Sequence, residues 1–379
     1  MSFPLDLELS ALRKRRSEKW VSYPEDVLPL FVAESDVALA PPIAERLAAA
    51  VADGDTGYSA DAEGLRDVVS QYYTRYGVES APGDVMPVYD VGVGVRAALA
   101  EFVPSGGRVV HHVPVYMPFP GWIRRAGHEP APVPFDEDGG INLPAIEAEL
   151  ADGARAVLLC HPHNPTGRIH PQSELAALAE LADSYGAIVV SDEIWAPMAL
   201  PGHEFRSFLA ASNTARKVGF AISSASKTWN LAGLKCAFVI TGNRAQYTLP
   251  PYLAGAAGHL GSLAARVALT EGEPWREQLM AALDENVDLL EKLLSKHLPK
   301  AKMARPESTY IAWIDASAYP ELGDNPAKTF LSEAKVAFSP GIAFGPGGEG
   351  HFRVNFACNP AVLTEAFERV GRVVATKAD

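Results

Sequence analysis

Cysteine is scarce. Three residues, Cys160, Cys236 and Cys358, stand far apart in 379 positions, too few for the disulfide framework of a stapled secreted scaffold. One of them is necessarily unpaired within a monomer and two sit in apolar, strand-like runs, so a reducing, cytoplasmic setting is expected. Positive charge is also short: Lys and Arg total 33 against 46 Asp and Glu, a formal net charge of −13. The resulting field repels polyanions, which argues against nucleic acid and acidic membranes as partners. No window approaches an uncharged membrane span. Residues 1–20 carry Arg13, Lys14, Arg15 and Arg16 with no apolar core of signal-peptide length behind them, so export is not expected. Internal repeats and low-complexity tracts are missing too, which removes solenoids and linker-like arrays from consideration.

What remains is an ordinary globular composition, 48% hydrophobic and 21% charged. The length suffices for two or three domains at the usual ~150 residues each. Between about residue 85 and residue 241, short apolar runs recur: Val109 to His112, Ala156 to Cys160, Ala187 to Ser191, Val218 to Ile222 and Ala237 to Ile240. These read as strands buried on both faces. Leu175, Leu178, Leu181 and Ala182 fall at helical spacing behind a Pro171-Gln172-Ser173-Glu174 start signal. Strands alternating with helices predict an α/β fold, a mostly parallel sheet sandwiched by helices. After about residue 262 a long helical pattern precedes Tyr310 to Ile314 and Phe352 to Phe356, the strands of a smaller α/β unit. The expected division is 1–44 as a segment joining the small domain, 45–262 as the large domain and 263–379 as the small one.

The chemistry concentrates in Ser224 to Lys235, where Lys227 lies between hydroxyls and a glycine turn, downstream of Ser191-Asp192-Glu193. An enzyme holding pyridoxal 5′-phosphate (PLP) covalently needs a primary amine, small donors for the phosphate and a carboxylate for the pyridine nitrogen. Lys227 supplies the amine and then moves protons at the substrate α-carbon; Asp192, closing a buried strand, needs a cationic partner that a pyridinium provides. As a helix N-cap, Asp192 would need none. Asn164, in the turn His163 to Arg168, suits the phenolate oxygen. Val93 and Gly94, in Asp90 to Val95 ahead of a helical pattern, offer backbone amides to a phosphate, and Ser224, Ser226 and Lys235 close that cup. Tyr116 can stack on the ring, and Arg353, alternating with apolar neighbours, suits a substrate carboxylate met bidentately. Each residue has a plain structural alternative in turn, cap or core. Their order in the chain is what favours a site, with no metal expected.

In that order, Asn164-Pro165-Thr166-Gly167-Arg168, Ser191-Asp192-Glu193, Ser224-Ala225-Ser226-Lys227 and Phe352-Arg353-Val354-Asn355 resemble the fold-type I PLP enzymes of the class I/II aminotransferase superfamily over almost the whole chain. The resemblance implies a homodimer with its site between large and small domains, and Tyr58, in Asp55 to Ser59, reaching the phosphate of the neighbouring subunit's cofactor. Within the superfamily, Lys19-Trp20, Leu28 to Ala33, Pro114 to Phe119, Lys227 to Leu234, Gly272 to Trp275 and Pro306 to Asp315 are most similar to the carbon–sulfur β-lyases of the MalY/PatB cystathionine β-lyase type. Lys235 stands where general aminotransferases usually carry arginine. Two positions depart from the relatives: Trp195 replaces a His or Tyr near the phenolate, and an indole only donates; Ala33-Glu34-Ser35-Asp36-Val37 replaces Ala-Asp-Met-Asp-Phe.

The resemblance implies β-elimination from small amino-acid substrates, cysteine S-conjugates such as L-cystathionine, giving thiol, pyruvate and ammonia. Lys227, Tyr116 and Asp192 carry the chemistry, while Arg353, Tyr116 and Asn164 bind substrate. The alternatives are an aminotransferase acting on an L-amino acid and a 2-oxo acid, and a regulatory binding protein with secondary lyase activity.

Overall fold

The computed structural model describes residues 4–59, 64–243, 245, 249–250 and 257–378. The N-terminal segment contributes a short strand, β1 (Leu28–Pro29). Then follow β2 (Val85–Val88), β3 (Arg108–Val113), β4 (Glu129–Pro134), β5 (Ala156–Cys160), β6 (Ile188–Asp192), β7 (Gly219–Ser223) and β8 (Ala237–Thr241). These seven form one sheet in the order β2-β8-β7-β6-β5-β3-β4. Only β8 runs against its neighbours, pairing antiparallel with both β2 and β7, so the sheet is mostly parallel. The connection from β7 to β8, residues 224–236, therefore begins and ends at one rim of the sheet.

Every residue of β5, β6 and β7 is buried, because helices cover both faces. Val157, Leu159 and Val189 turn toward Leu65, Val69, Leu175 and Leu178, while Ala156, Leu158 and Val190 meet Val95, Leu99, Phe119 and Ile123. The helix Val91–Phe102 lies so close that a Cβ on Gly94 would come within 2.9 Å of Val239 Cγ2. The expected strands at Val109, Ala156, Ala187, Val218 and Ala237 are present with their ends shifted by a residue or so. Edge strand β4 was not anticipated. Its Pro130, Pro132 and Pro134 would break a central strand, but β4 pairs on one side only, with β3.

The C-terminal part adds β9 (Lys302–Met303), β10 (Ile311–Asp315), β11 (Val336–Ala337), β12 (Ser339–Pro340) and β13 (His351–Asn355). Strands β12, β13, β10 and β9 form a second sheet in that order, and β11 pairs in parallel with β1. Leu5, Leu28, Leu30 and Val37 of the N-terminal segment share one apolar core with Leu279, Leu283, Leu290, Ile311, Phe352 and Phe367. The long helix Glu273–His297 and the helix Pro360–Ala378 pack over this core.

Strand register fixes the rim. Cys160 stands opposite Asp192, and Asp192 opposite Ile222, so the residues following β5, β6 and β7 emerge side by side. The turn after β5 is held to the C-terminal part at Gly167, whose carbonyl accepts from the amides of Glu307 and Ser308 at 3.1 and 3.0 Å. Gly167 has φ +74°, and a Cβ there would meet Pro306 Cβ at 2.6 Å and Ser308 O at 2.9 Å. Gly167→Ala combines left-handed strain with a backbone clash and is expected to destabilise by about 2–4 kcal/mol, measured by denaturant unfolding.

Candidate active site

A pocket of about 580 Å³ opens at this rim, bounded by the residues after β2, β5, β6 and β7 and by the N-terminal segment. Lys227, Asp192, Asn164, Tyr116, Ser224, Ser226, Lys235 and Arg353 all line it. Residues as far apart in sequence as Tyr116 and Arg353 are thus brought to one cavity.

Asp192 is 2% exposed. The Ile194 amide donates to its Oδ1 at 3.1 Å, and no cation approaches within ion-pair distance among the described residues. Burial raises its pKa to about 7, against the opposing pull of the Ile194 amide and Lys227. Lys227 Nζ donates to the Ala33 carbonyl at 2.7 Å and lies 5.8 Å from the Trp195 ring centre. Burial lowers its pKa to about 8; the Arg353 charge acts in the same direction, and Asp192 opposes both. A lysine so placed sheds its proton within reach of neutral pH, as a nucleophile or base requires.

Arg353, in β13, is 2% exposed. It donates to Asn164 Oδ1 at 2.9 Å, Phe31 O at 2.9 Å and Ser339 Oγ at 3.1 Å, all neutral acceptors. Among the described residues it has no carboxylate partner and its Nε is buried without an acceptor, so burial lowers its pKa to about 10. A planar cation held this way is matched by a ligand carboxylate. Tyr116 packs edge-on to Trp122 at 5.7 Å, and burial raises its pKa.

The anion cup differs in detail from expectation. Val93 N donates to Asp90 Oδ1 at 2.8 Å and Gly94 N to Asp90 O at 3.1 Å, so both amides are spent inside the start of the helix Val91–Phe102. The amides of Val91 and Gly92 precede them and have no acceptor among the described residues. Lys235, in the left-handed region at φ 58°, places Nζ 3.7 Å from Asp90 Oδ2. The Ser224 hydroxyl donates to Cys236 O at 2.6 Å, and its oxygen accepts from Ser226 N at 3.0 Å. Tyr58 does not line this pocket and is fully exposed.

Trp195 is 1% exposed, lines the pocket and meets Tyr310 edge-on at 4.8 Å. Sequence reasoning gave no role to the Ala33 carbonyl, Glu18, Trp122 or Ser339, which also border the cavity. The only signal for the first two was the pair of segments around Lys19 and Ala33. Behind the Asn164 turn, His112, His163 and His170 pack around Phe135; burial lowers the pKa of His112, and of nearby His161, to about 3. No group of three or more His, Cys, Asp and Glu among the described residues could hold a metal ion.

The model of the aminotransferase class I and II family matches residues 36–370. The chain belongs to that family. Within it, the chain is 38% identical over 98% of both chains to a Mycobacterium leprae protein assigned as a cystathionine β-lyase. It is 34% identical to the cystathionine β-lyase of Corynebacterium glutamicum, over 99% of this chain and all of that one. A crystal structure assigned as a PLP-dependent β-cystathionase, from Corynebacterium diphtheriae, superimposes with a TM-score of 0.93 at 35% identity over 99% of each chain.

The buried acidic pair Asp192-Glu193 points two ways. Glu193 Oε1 accepts from the Ser207 hydroxyl and the Phe208 amide at 2.9 Å each, away from the pocket. Burial raises its pKa from 4.5 to about 8. The folded chain thus keeps a proton there that the unfolded chain has shed. Its stabilising contribution is complete below about 4.5 and falls as pH rises toward about 8. Glu193→Gln imitates the protonated acid and is expected to flatten the decline of thermal midpoint across that window, read from melting scans of both proteins.

Proposed function

We propose that this protein is a PLP-dependent carbon–sulfur β-lyase that cleaves cysteine S-conjugates such as L-cystathionine to thiol, pyruvate and ammonia. The observation that carries the reading is a complementary pair of buried charges in one pocket, Asp192 without a cation and Arg353 without an anion among the described residues. A protonated pyridine ring answers the first and an amino-acid carboxylate the second. The relatives named as cystathionine β-lyases support the reaction class.

The residues fit the cofactor. Asp192 would hold the ring nitrogen protonated, Tyr116 would cover the ring, and Asn164 and Trp195 would donate to its phenolic oxygen. The Val91 and Gly92 amides, Ser226 and Lys235 would take the phosphate. When bound, PLP supplies an electron sink for the α-carbon of the substrate. Arg353 fixes the substrate carboxylate, and in doing so orients the α-hydrogen. Lys227 then takes that proton from the α-carbon, its amine kept basic enough by Asp192 and free enough by burial. The pocket walls Tyr116 and Trp122 exclude water around the departing sulfur.

We further propose a homodimer in which Tyr58 of each subunit reaches its partner's phosphate. The three cysteines are free and buried, which suits a cytoplasmic enzyme. The division into a large domain, 45–262, and a small one, 263–379 with 1–44, belongs to the same reading. Among the described residues no helix is long and apolar enough to cross a membrane.

With PLP added, the protein is expected to show a visible absorption band that borohydride removes with the label on Lys227. It should then release pyruvate and thiol from L-cystathionine, and Lys227→Ala should release none. Consumption of a 2-oxo acid with no pyruvate from several cysteine conjugates would make it an aminotransferase instead. Arg353→Lys loses the bidentate grip and is expected to raise KM about thirtyfold, the equivalent of about 2 kcal/mol, in steady-state kinetics.

A further inference from the structure

Phe31, Val32 and Ala33 line one wall of the pocket, and the carbonyls from Leu30 to Glu34 are all engaged. Phe31 O accepts from Arg353 Nη2 and Ser339 Oγ. Val32 O and Glu34 O both accept from Asn355 Nδ2, at 2.7 Å. Ala33 O takes a different pair, Lys227 Nζ at 2.7 Å and the Tyr310 hydroxyl at 2.9 Å. It is the acceptor bonded to the Lys227 amine, the amine that on the reading above moves the α-proton.

The opposite side of this segment is clasped by residues 15–19. Lys19, 1% exposed, donates to Asp36 Oδ2 at 2.8 Å and to Glu34 O at 3.2 Å. Arg15 Nη2 donates to Val37 O at 2.6 Å, and the Ser17 hydroxyl bonds Glu34 Oε1. Both members of the Lys19–Asp36 pair are buried, and neither lines the pocket. A buried ion pair stabilises little beyond a well-packed apolar pair, because desolvation offsets the attraction; what it supplies is a fixed position. Ala33 lies between the Asn355 bond to Val32 O and the Lys19 bond to Glu34 O, so a shift of the clasp displaces the one acceptor that bonds the lysine among the described residues. Lysine has a flexible four-carbon stem, and without that acceptor its amine spreads over many rotamers.

We propose that the buried Lys19–Asp36 pair is a positioning device that sets where the Ala33 carbonyl receives the Lys227 amine, and so the orientation from which Lys227 moves the α-proton. This rests on the proton-transfer role proposed for Lys227, and Lys19 and Asp36 act only through the segment they hold.

The test compares the wild type with Asp36→Asn and with the apolar pair Lys19→Met/Asp36→Leu. In the full chain before PLP is added, Lys227 acylation by an amine reagent is followed by peptide mass spectrometry; after loading, kcat and KM for L-cystathionine and thermal midpoints are measured. Asp36→Asn is expected to speed acylation of Lys227 severalfold, leaving lysines other than Lys19 unchanged, and to lower kcat about tenfold with KM changed less than roughly threefold. The apolar pair should recover the thermal midpoint but keep the fast labelling and low kcat, since Glu34 O still lacks its Lys19 donor. Labelling within about twofold of wild type in both variants, or labelling and kcat restored together with the thermal midpoint, overturns the proposal. If wild-type protein releases no pyruvate, the lyase reading fails, and the acylation rates alone still decide this one.

Discussion

Burying an ion without its counter-ion is among the costliest things a fold can do, and this molecule does it with both signs in one cavity. Asp192 is driven up to about 7 and Arg353 down to about 10 by the same desolvation. The surrounding structure is what tolerates this. Asp192 is the last residue of a strand flanked on both sides by paired strands, so its backbone cannot swing toward solvent. Arg353 is caught by three neutral acceptors from three separate parts of the chain. Stability is sacrificed locally, and it is returned when a ligand carrying the opposite charges arrives.

That arrangement also explains why the site lies where two bodies of apolar packing meet. Asn164 follows, and Asp192 ends, a strand of the seven-stranded sheet, whereas Arg353 belongs to the second sheet. Contacts such as Gly167 O to Glu307 and Ser308, and Val115 N to Phe344 O at 3.0 Å, tie the two together. The spacing between the carboxylate and the guanidinium is therefore a property of the interface between these bodies, not of either alone.

Much of this was legible from sequence. Buried strands announce themselves as apolar runs, and the aspartate, asparagine and lysine end or follow strands where such sheets collect functional groups, while the arginine alternates with apolar neighbours inside β13. Less legible was whatever depends on backbone atoms. The Ala33 carbonyl has no side-chain counterpart in the sequence, and the amides at the helix start shifted from Val93 and Gly94 toward Val91 and Gly92 because Asp90 caps the third position. Strand β4 was hidden by its prolines, whose tolerance depends on having a neighbour on one side only, a fact of topology. Lys19 stands in one of the segments that resemble the β-lyases, but nothing local distinguishes a buried lysine from a solvated one.

The reversed strand β8 has a further effect. In a run of parallel strands each crossover delivers one strand end to the rim and returns along the far side as a helix. Because β7 and β8 are antiparallel, the chain leaves the rim at Ser224 and comes back to it by Cys236, so Lys227 and Lys235 ride on a single uninterrupted excursion. The two lysines, proposed as covalent anchor and phosphate cation, thereby form a cassette of fixed length. Inserting or deleting a residue within it would move both charges at once, whereas the sheet beneath could drift in sequence without disturbing their separation.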